Sequence, residues 1–193
     1  LYEGKVGVAS CHLFSGDYND YNTPFVRILM PGIPAVLINL SYRTQGFYVR
    51  KGNPKKIRGW EDLKREDISI LNRRTGSGSR ILLDGQLKRL GIPSGQVNGY
   101  DRIMRSHLTM AAAISEGDAD VGIGTARVSH QLDGIEFIPL IEERYDLVVK
   151  KEDLDSRAVQ AMMKVLSSGA FMKEISHFTG NDHRDMGKII AEV

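Results

Sequence analysis

The chain has 193 residues and a formal net charge of +2, with 41% hydrophobic and 26% charged residues. This length suits one large domain or two small lobes, and the near-neutral charge argues against a nucleic-acid-coating protein, which would carry a concentrated basic face. The single cysteine, Cys11, excludes an intrachain disulfide and favours a reducing compartment. The apolar stretches are short and interrupted by charges, and no signal peptide is visible, so we expect a cytoplasmic protein with no membrane partner.

The first half of the chain alternates apolar runs with turn-forming residues. β-Branched residues in an apolar run predict buried strands, whereas clustered Asn, Asp and Gly predict turns. The predicted elements are a short strand that runs into a loop over 5–14, a turn-rich loop over 15–23, a short helix over 25–30, strands over 35–41 and 45–50, a short helix over 60–65 and a buried strand over 68–72.

The second half contains longer helical patterns between short strands. The helices are predicted over 80–90, 106–116, 126–132, 156–168 and 169–178, and the strands over 119–124, 135–141 and 145–150. Gly91 and Pro93 stop the first of these helices, and Ser106 is a suitable N-cap for the second. Strands that alternate with helices at this spacing predict an α/β fold with a mainly parallel sheet.

The segment Asn72–Arg80 (NRRTGSGSR) carries the strongest local signal for a binding site. It joins a predicted strand to a helix, so free N–H groups and the helix dipole favour an anion there. The predicted ligand-binding residues of this loop are Arg74, Thr75, Gly76, Ser77, Gly78, Ser79 and Arg80, with Arg73 beside them. The loop lacks the Gly-Lys-Ser/Thr ending of a nucleotide P-loop. The alternative interpretation is a plain strand–helix connection with a serine cap and solvated arginines.

Four further residues are predicted to contact the ligand. Ser106 and His107 lie at a helix start, where a histidine could donate to an anion, although a simple cap or surface role is the alternative. His12 follows the first strand. Tyr145 lies in a charged cluster at a strand start, where it closes a site or belongs to a salt-bridged crossing between lobes.

Patterns expected of enzymes and metal sites are weak in this sequence. No Gly-x-Ser-x-Gly elbow presents a serine nucleophile, and the adjacency of Cys11 and His12 does not make a catalytic pair. The GIGTA run at 122–126 has Arg127 where a dinucleotide fingerprint needs glycine, so we interpret its glycines as allowing close backbone approach at a ligand-binding sheet edge. We interpret the polar group His177, Asp182, His183 and Asp185 as incidental, and expect no metal, no cofactor and no catalysis by this domain.

An internal echo suggests two related lobes. Residues 3–8 read EGKVGV and residues 116–121 read EGDADV, and in both a Glu-Gly pair is followed by a short strand. A full strand, Gly/Ser loop and helix precede the second copy, whereas nothing equivalent precedes the first. We therefore expect the chain to begin within a longer protein whose upstream segment completes lobe one.

Several motifs in one order carry a family resemblance that covers nearly the whole chain. They are EGKVGVASCHL, HLFSGDYNDYNTPFVRILMPG, RTQGFYVRKGNP, NRRTGSGSRILLDGQLKRLGIP, NGYDR at 98–102, SHLTMAAAISEGDADVGIG at 106–124 and IPLIEERYDLVV at 138–149. Together they resemble the PBP-like domain family, relatives of the type II periplasmic binding proteins for molybdate and tungstate. Members of that family occur fused to helix-turn-helix regulators or to molybdopterin-biosynthesis proteins.

The resemblance implies a type II periplasmic-binding-protein-like α/β fold in which two lobes hold a ligand in a cleft. It implies crossings near Ser41–Gln45 and Glu143–Tyr145. Lobe one is then 1–45 plus 143–193, incomplete at its N-terminus, and lobe two is 46–142. The implied partners are a small anionic ligand and a fused or separate helix-turn-helix or molybdopterin-biosynthesis domain, with no direct nucleic-acid contact; a homodimer stays open.

The sequence therefore supports one leading hypothesis and three alternatives. The leading hypothesis is an oxyanion-binding or sensing domain, with molybdate or tungstate as the ligand that the resemblance implies. The first alternative is an organic ligand such as a pterin precursor, stacked on Tyr145, Tyr100 and Phe47. The second is a structural module of a molybdenum-cofactor biosynthesis enzyme that binds nothing. The third, a periplasmic transporter subunit, is disfavoured by the absence of a visible signal.

Overall fold

The computed structural model of the protein describes residues 1–177 and 180–193. It contains two compact units: unit 1 comprises Leu1–Arg43 with Glu143–Val193, and unit 2 comprises Thr44–Glu142. In chain order, the strands are β1 (Val8–Cys11), β2 (Phe14–Ser15), β3 (Asp20–Tyr21), β4 (Ala35–Arg50), β5 (Ile70–Arg73), β6 (Ile103–Met104), β7 (Val121–Thr125), β8 (Ile135–Lys150), β9 (Asn181–Asp182) and β10 (Ile189–Glu192).

The helices lie between these strands in the chain. They are α1 (Thr23–Leu29), α2 (Gly78–Arg89), α3 (His107–Glu116), α4 (Ala126–Ser129), α5 (Arg157–Leu166) and α6 (Gly169–Ser176), with short 3-10 helices at Trp60–Lys64, Ser94–Gln96 and Lys151–Asp153. Helix α6, predicted over 169–178, ends at Ser176, and residue 178 lies outside the described residues. The part of the chain that the structure describes holds no helix with the length and apolar character needed to span a membrane.

Two strands are much longer than the sequence predicts. The predicted pairs 35–41 with 45–50, and 135–141 with 145–150, are each one continuous strand, β4 and β8. No strand is predicted between 41 and 45, but Tyr42 and Arg43 pair with Asp182 and Asn181 of β9. Because a paired edge supplies backbone hydrogen bonds whatever the side chains are, the strand continues through its polar section.

In unit 1, β4 separates two apolar layers by the alternation of its side chains. Ala35 and Leu37 pack with Val26 and Met30 of the α1 region. Val36 and Ile38, on the opposite face, pack with α5 residues. Successive strand residues point to opposite faces, so the buried start of β4 contributes to both layers. Strand β1 pairs antiparallel with β8, while β9 and β10 each pair antiparallel with β4.

For the sheet as a whole, the prediction of a mainly parallel arrangement is wrong. The pairs β1–β8, β4–β7, β4–β9 and β4–β10 are antiparallel, whereas β5 pairs parallel with β6 and β7. Parallel pairing requires a long crossover, and α2 and α3 provide it between β5, β6 and β7. The long strand β4 enters the sheet without such a crossover and runs in the opposite direction.

The glycines of β7 serve packing, which corrects their interpretation as points of close backbone approach for a ligand. A Cβ atom on Gly122 would lie 2.6 Å from Cγ of Met110, and one on Gly124 would overlap the hydroxyl of Tyr48. Tyr48 is fully buried and donates a hydrogen bond to the Thr125 carbonyl at 2.8 Å. Each glycine therefore makes room for one large side chain of the unit 2 core.

Candidate functional site

The ends of β5 and β6 create a common edge in unit 2. The two strands are parallel, and Arg73 pairs with Met104 at the last position of each. Helix α2 follows β5 and helix α3 follows β6, so both helices begin at the edge where these strands end. The first N–H groups of a helix have no partner within it, and the helix dipole adds partial positive charge. This edge can therefore accept an anion.

The start of α2 has a serine cap. Ser77 has extended backbone angles, and its hydroxyl oxygen accepts a hydrogen bond from the Arg80 amide at 3.4 Å. Gly76 has φ of +84°, a conformation that strains other residues, and it is exposed with Arg74 and Thr75. The helix starts at Gly78, two residues before the predicted start, so its first amides belong to the predicted binding loop.

Ser79 has an internal partner. The residue is 4% exposed, and its hydroxyl donates a hydrogen bond to the side-chain oxygen of Gln45 at 3.0 Å. This bond ties the first turn of α2 to β4. A ligand role for the Ser79 hydroxyl stays a prediction, and its backbone amide lies in the first turn of α2.

The sequence predicts Arg73 beside the ligand-binding residues, and not among them. One terminal nitrogen, Nη1, donates to the Met104 carbonyl at 3.3 Å, while Nε is buried and has no hydrogen-bond partner among the described residues. Burial first, and then the positive charge of the neighbouring Arg74, lower the pKa of Arg73. An anion bound here would give Nε a partner and would relieve the repulsion between the two cations. The signal in the sequence was its position directly after a buried strand.

Arg80 has strong internal partners instead of an open guanidinium. Its side chain forms an ion pair with Asp84, one turn along α2, and stacks on the ring of Tyr100 at 4.0 Å. The carboxylate of Asp84 offsets the positive charge that the sequence assigned to ligand binding. Contact between Arg80 and the ligand stays a prediction.

The start of α3 confirms Ser106 as an N-cap. Its hydroxyl oxygen accepts a hydrogen bond from the Thr109 amide at 3.1 Å. His107 follows as the first helical residue, and its Nδ1 lies 3.2 Å from the Ile123 carbonyl oxygen. A carbonyl oxygen only accepts, so Nδ1 carries the proton in this bond. The contact fixes the imidazole against β7.

In unit 1, the predicted site residues His12 and Tyr145 lie together. Their rings stack with centroids 5.0 Å apart and an angle of 15° between planes. The guanidinium of Arg43 lies 5.0 Å from the centre of the Tyr145 ring, and Ser10 Oγ lies 3.3 Å from the Tyr145 hydroxyl. A carboxylate that the sequence did not single out, that of Glu143, anchors this group.

The Glu143 side chain is 1% exposed, and its carboxylate contacts His12 and forms an ion pair with Arg43. His12 Nδ1 lies 3.1 Å from one carboxylate oxygen, and Arg43 Nε donates to the other. Burial acts to raise the pKa of Glu143, but the hydrogen bond from His12 and the charge of Arg43 together outweigh it. The pKa is lowered, and the carboxylate stays charged in the folded protein.

The described residues contain no group of His, Cys, Asp and Glu side chains arranged to hold a metal ion. The acidic members of the polar group near the C-terminus have other partners. Asp182 pairs with Arg184, while Asp185 accepts from the Tyr42 hydroxyl at 2.8 Å and from Lys188 at 2.9 Å.

Comparison with known proteins identifies the family. The model of the PBP superfamily domain matches residues 1–167. The chain belongs to the PBP superfamily. This PBP domain is 43% identical over 192 residues to YvgK of Bacillus subtilis (strain 168), an uncharacterized protein, covering 100% of this chain and 61% of that relative. The chain thus spans about three fifths of that relative's length. It is also 39% identical over 113 residues to an uncharacterized Clostridium pasteurianum protein, covering 58% of this chain and 100% of that relative.

Solved structures confirm the α/β fold of type II periplasmic binding proteins. A histidine kinase sensor domain with similarity to periplasmic binding proteins gives a TM-score of 0.62 at 14% identity, covering 94% of this chain and 73% of that chain. The substrate-binding domain of a molybdenum ABC transporter from Clostridium difficile gives a TM-score of 0.51 at 17% identity, covering 76% and 66% respectively. These likenesses show the fold. With the family match, they make the chain a PBP-like small-ligand-binding domain.

Proposed function

We propose that this PBP domain binds a small oxyanion, molybdate or tungstate, at the edge of unit 2 where α2 and α3 begin. The observation that carries the proposal is the arginine pair there. Arg73 has a buried Nε without a hydrogen-bond partner among the described residues, next to a second cation, Arg74, whose charge disfavours the protonated state of Arg73. Leaving a buried donor unsatisfied costs about 1–3 kcal/mol, which an oxyanion would recover.

Two similar proteins support the choice of an oxyanion. The thiosulfate-binding protein of Escherichia coli (strain K12) is 49% identical over 41 residues, covering 20% of this chain and 12% of that protein. The Clostridium difficile neighbour is a molybdenum transporter domain. Both names indicate oxyanion ligands, which hydrogen-bond donors can hold. We further propose that the domain belongs to a molybdenum-related regulator or a molybdopterin-biosynthesis protein. We propose that the domain itself catalyses no reaction.

The aromatic residues favour an oxyanion over a stacked pterin precursor. Phe47 is fully buried and contacts Trp60 edge-on at 4.9 Å, so it offers no open stacking face. One face of Tyr100 carries the Arg80 guanidinium, and Tyr145 is stacked on His12. Each of the three side chains expected to hold an organic ring thus already contacts a protein group.

Addition of molybdate or tungstate is expected to raise the melting temperature. A ligand that binds only the folded state stabilises that state by about 2.7 kcal/mol when the ligand concentration is about a hundred times the dissociation constant. For a chain of this size, that stabilisation raises the melting temperature by roughly 5 °C or more. Differential scanning fluorimetry across a series of anion concentrations, with chloride as the reference salt, measures the shift. Melting curves that stay superimposed for both anions would contradict the proposal.

Arg73→Ala is the matched test of the site. Loss of a charge-assisted hydrogen bond is expected to weaken anion affinity about tenfold or more, as measured by isothermal titration calorimetry. Arg58→Ala removes the same charge from an exposed position of unit 2 and serves as the control. Equal affinities for the two variants would show that the anion binds elsewhere.

A further inference from the structure

Arg80, Asp84 and Tyr100 form a closed group on unit 2, here called the α2 clamp. Arg80 Nε lies 3.0 and 3.1 Å from the two carboxylate oxygens of Asp84. The Tyr100 hydroxyl donates to the same carboxylate at 2.6 Å, and the Tyr100 ring lies 4.0 Å from the Arg80 guanidinium carbon. The Arg80 side chain is only 12% exposed. Each member therefore contacts both of the others.

The α2 clamp is connected to the binding loop at both ends. The Arg80 amide donates to the Ser77 cap, and Arg80 Nη1 reaches the Arg73 carbonyl oxygen in a longer contact of 3.5 Å. On the other side, the Asn72 side chain donates to the Tyr100 carbonyl at 2.9 Å. Strand end, cap and helix turn are thus held by one group of side chains, so the loop between Arg73 and Ser77 has fixed end points.

We propose that Arg80 is a positioning residue that acts through the α2 clamp, and that it does not contact the anion. This inference rests on the proposed oxyanion site. Binding costs free energy when a loop must be ordered, and a loop already held in shape avoids that cost. The α2 clamp therefore raises anion affinity by presetting the loop 74–77, with the charge of Arg80 already offset by Asp84.

The two roles of Arg80 predict opposite results for Asp84→Asn. If Arg80 attracts the anion by its charge, removal of the Asp84 carboxylate frees that charge and tightens binding. If Arg80 positions the loop, the same substitution weakens the α2 clamp and loosens binding. The sign of the change in affinity separates the two, which substitution of Arg80 alone does not.

Isothermal titration calorimetry of molybdate and tungstate with the full chain is the first measurement. Asp84→Asn is expected to weaken the affinity for either anion about fivefold, because binding must then order one more side-chain group. Asp84→Glu keeps the charge and the one-turn spacing, so it is expected to rescue affinity to within about twofold of the parent. The salt dependence of affinity is expected to be the same in all three proteins. Tighter or unchanged binding by Asp84→Asn would overturn the inference.

Hydrogen exchange of the Ser77 and Arg80 amides without any anion tests the α2 clamp independently of the proposed function. These amides donate to Arg74 and Ser77 respectively, and we expect exchange roughly tenfold faster in Asp84→Asn and unchanged exchange in Asp84→Glu. Unchanged exchange in Asp84→Asn would overturn the inference even if anions bind. A parent protein that binds neither anion would overturn the proposed function, whereas the exchange rates would still decide the role of the α2 clamp.

Discussion

Gly46→Ala is expected to lower the free energy of unfolding by about 3 kcal/mol, at the upper end of the usual cost of overpacking. A Cβ atom at Gly46 would overlap the carbonyl oxygen of Ile138 and lie 2.8 Å from Cζ of Phe137. The first of these obstacles is backbone, which cannot rotate away as a side chain can. The pairing of β4 with its neighbours would have to shift to accept one methyl group.

Urea unfolding followed by circular dichroism measures this effect. Gly95→Ala is the control in the same unit, because a Cβ atom at Gly95 meets nothing within 4 Å and the residue lies in a short helix without a positive φ. We expect the control to change stability by less than about 0.5 kcal/mol. A Gly46→Ala protein as stable as Gly95→Ala would show that β4 and β8 are not packed this closely.

Glu143→Gln is expected to lower the free energy of unfolding by about 2 kcal/mol at neutral pH. The substitution keeps the shape of the side chain but leaves Arg43 without its opposite charge. Arg43 is 26% exposed, so solvent screens part of the loss and the expected value lies below that of a fully buried pair. Glu152→Gln, at a side chain that is 73% exposed in a long ion pair with Lys150, is the control and is expected to change little.

The pH dependence of stability gives a second readout for Glu143. Its pKa is lowered in the folded state, so its stabilising contribution is fully present above the ordinary value of 4.5 and is lost as pH falls through the folded pKa. Denaturation experiments between about pH 7 and pH 3 are expected to show a smaller loss of stability for Glu143→Gln than for the parent. Parallel pH profiles for the two proteins would contradict the assignment of charge to this carboxylate.

Local signals in the sequence predicted much of the candidate site. The Gly/Ser loop lies between β5 and α2, and Ser77 and Ser106 cap their helices, because capping depends on residues three or four apart in the chain. The α/β fold and the PBP-like family, which rested on ordered motifs, are also confirmed. The identity of the ligand and the roles of individual site residues stay predictions.

Contacts between residues that lie far apart along the chain could not be predicted from the sequence. The side chains of Asp84 and Tyr100, which lie 16 residues apart, both contact Arg80. The carboxylate of Glu143, which lies 131 residues from His12, contacts both His12 and Arg43. No local sequence pattern predicts such a contact partner, because the partner of a side chain depends on which elements the sheet places side by side. The same reason explains the wrong expectation of a mainly parallel sheet.

By itself, the sequence determined the helix start capped by Ser106, the buried apolar run at the start of β4 and the family, all of which depend on short spacings or on motif order. The tertiary structure alone decided how the charges are used. It left Arg73 with a buried nitrogen that has no partner among the described residues, placed the Tyr100 ring against the Arg80 guanidinium and brought the Glu143 carboxylate to Arg43 and His12. The physical reason is that an arginine's ability to bind a ligand depends on the carboxylates that the fold brings within a few ångströms, and sequence distance does not report that separation.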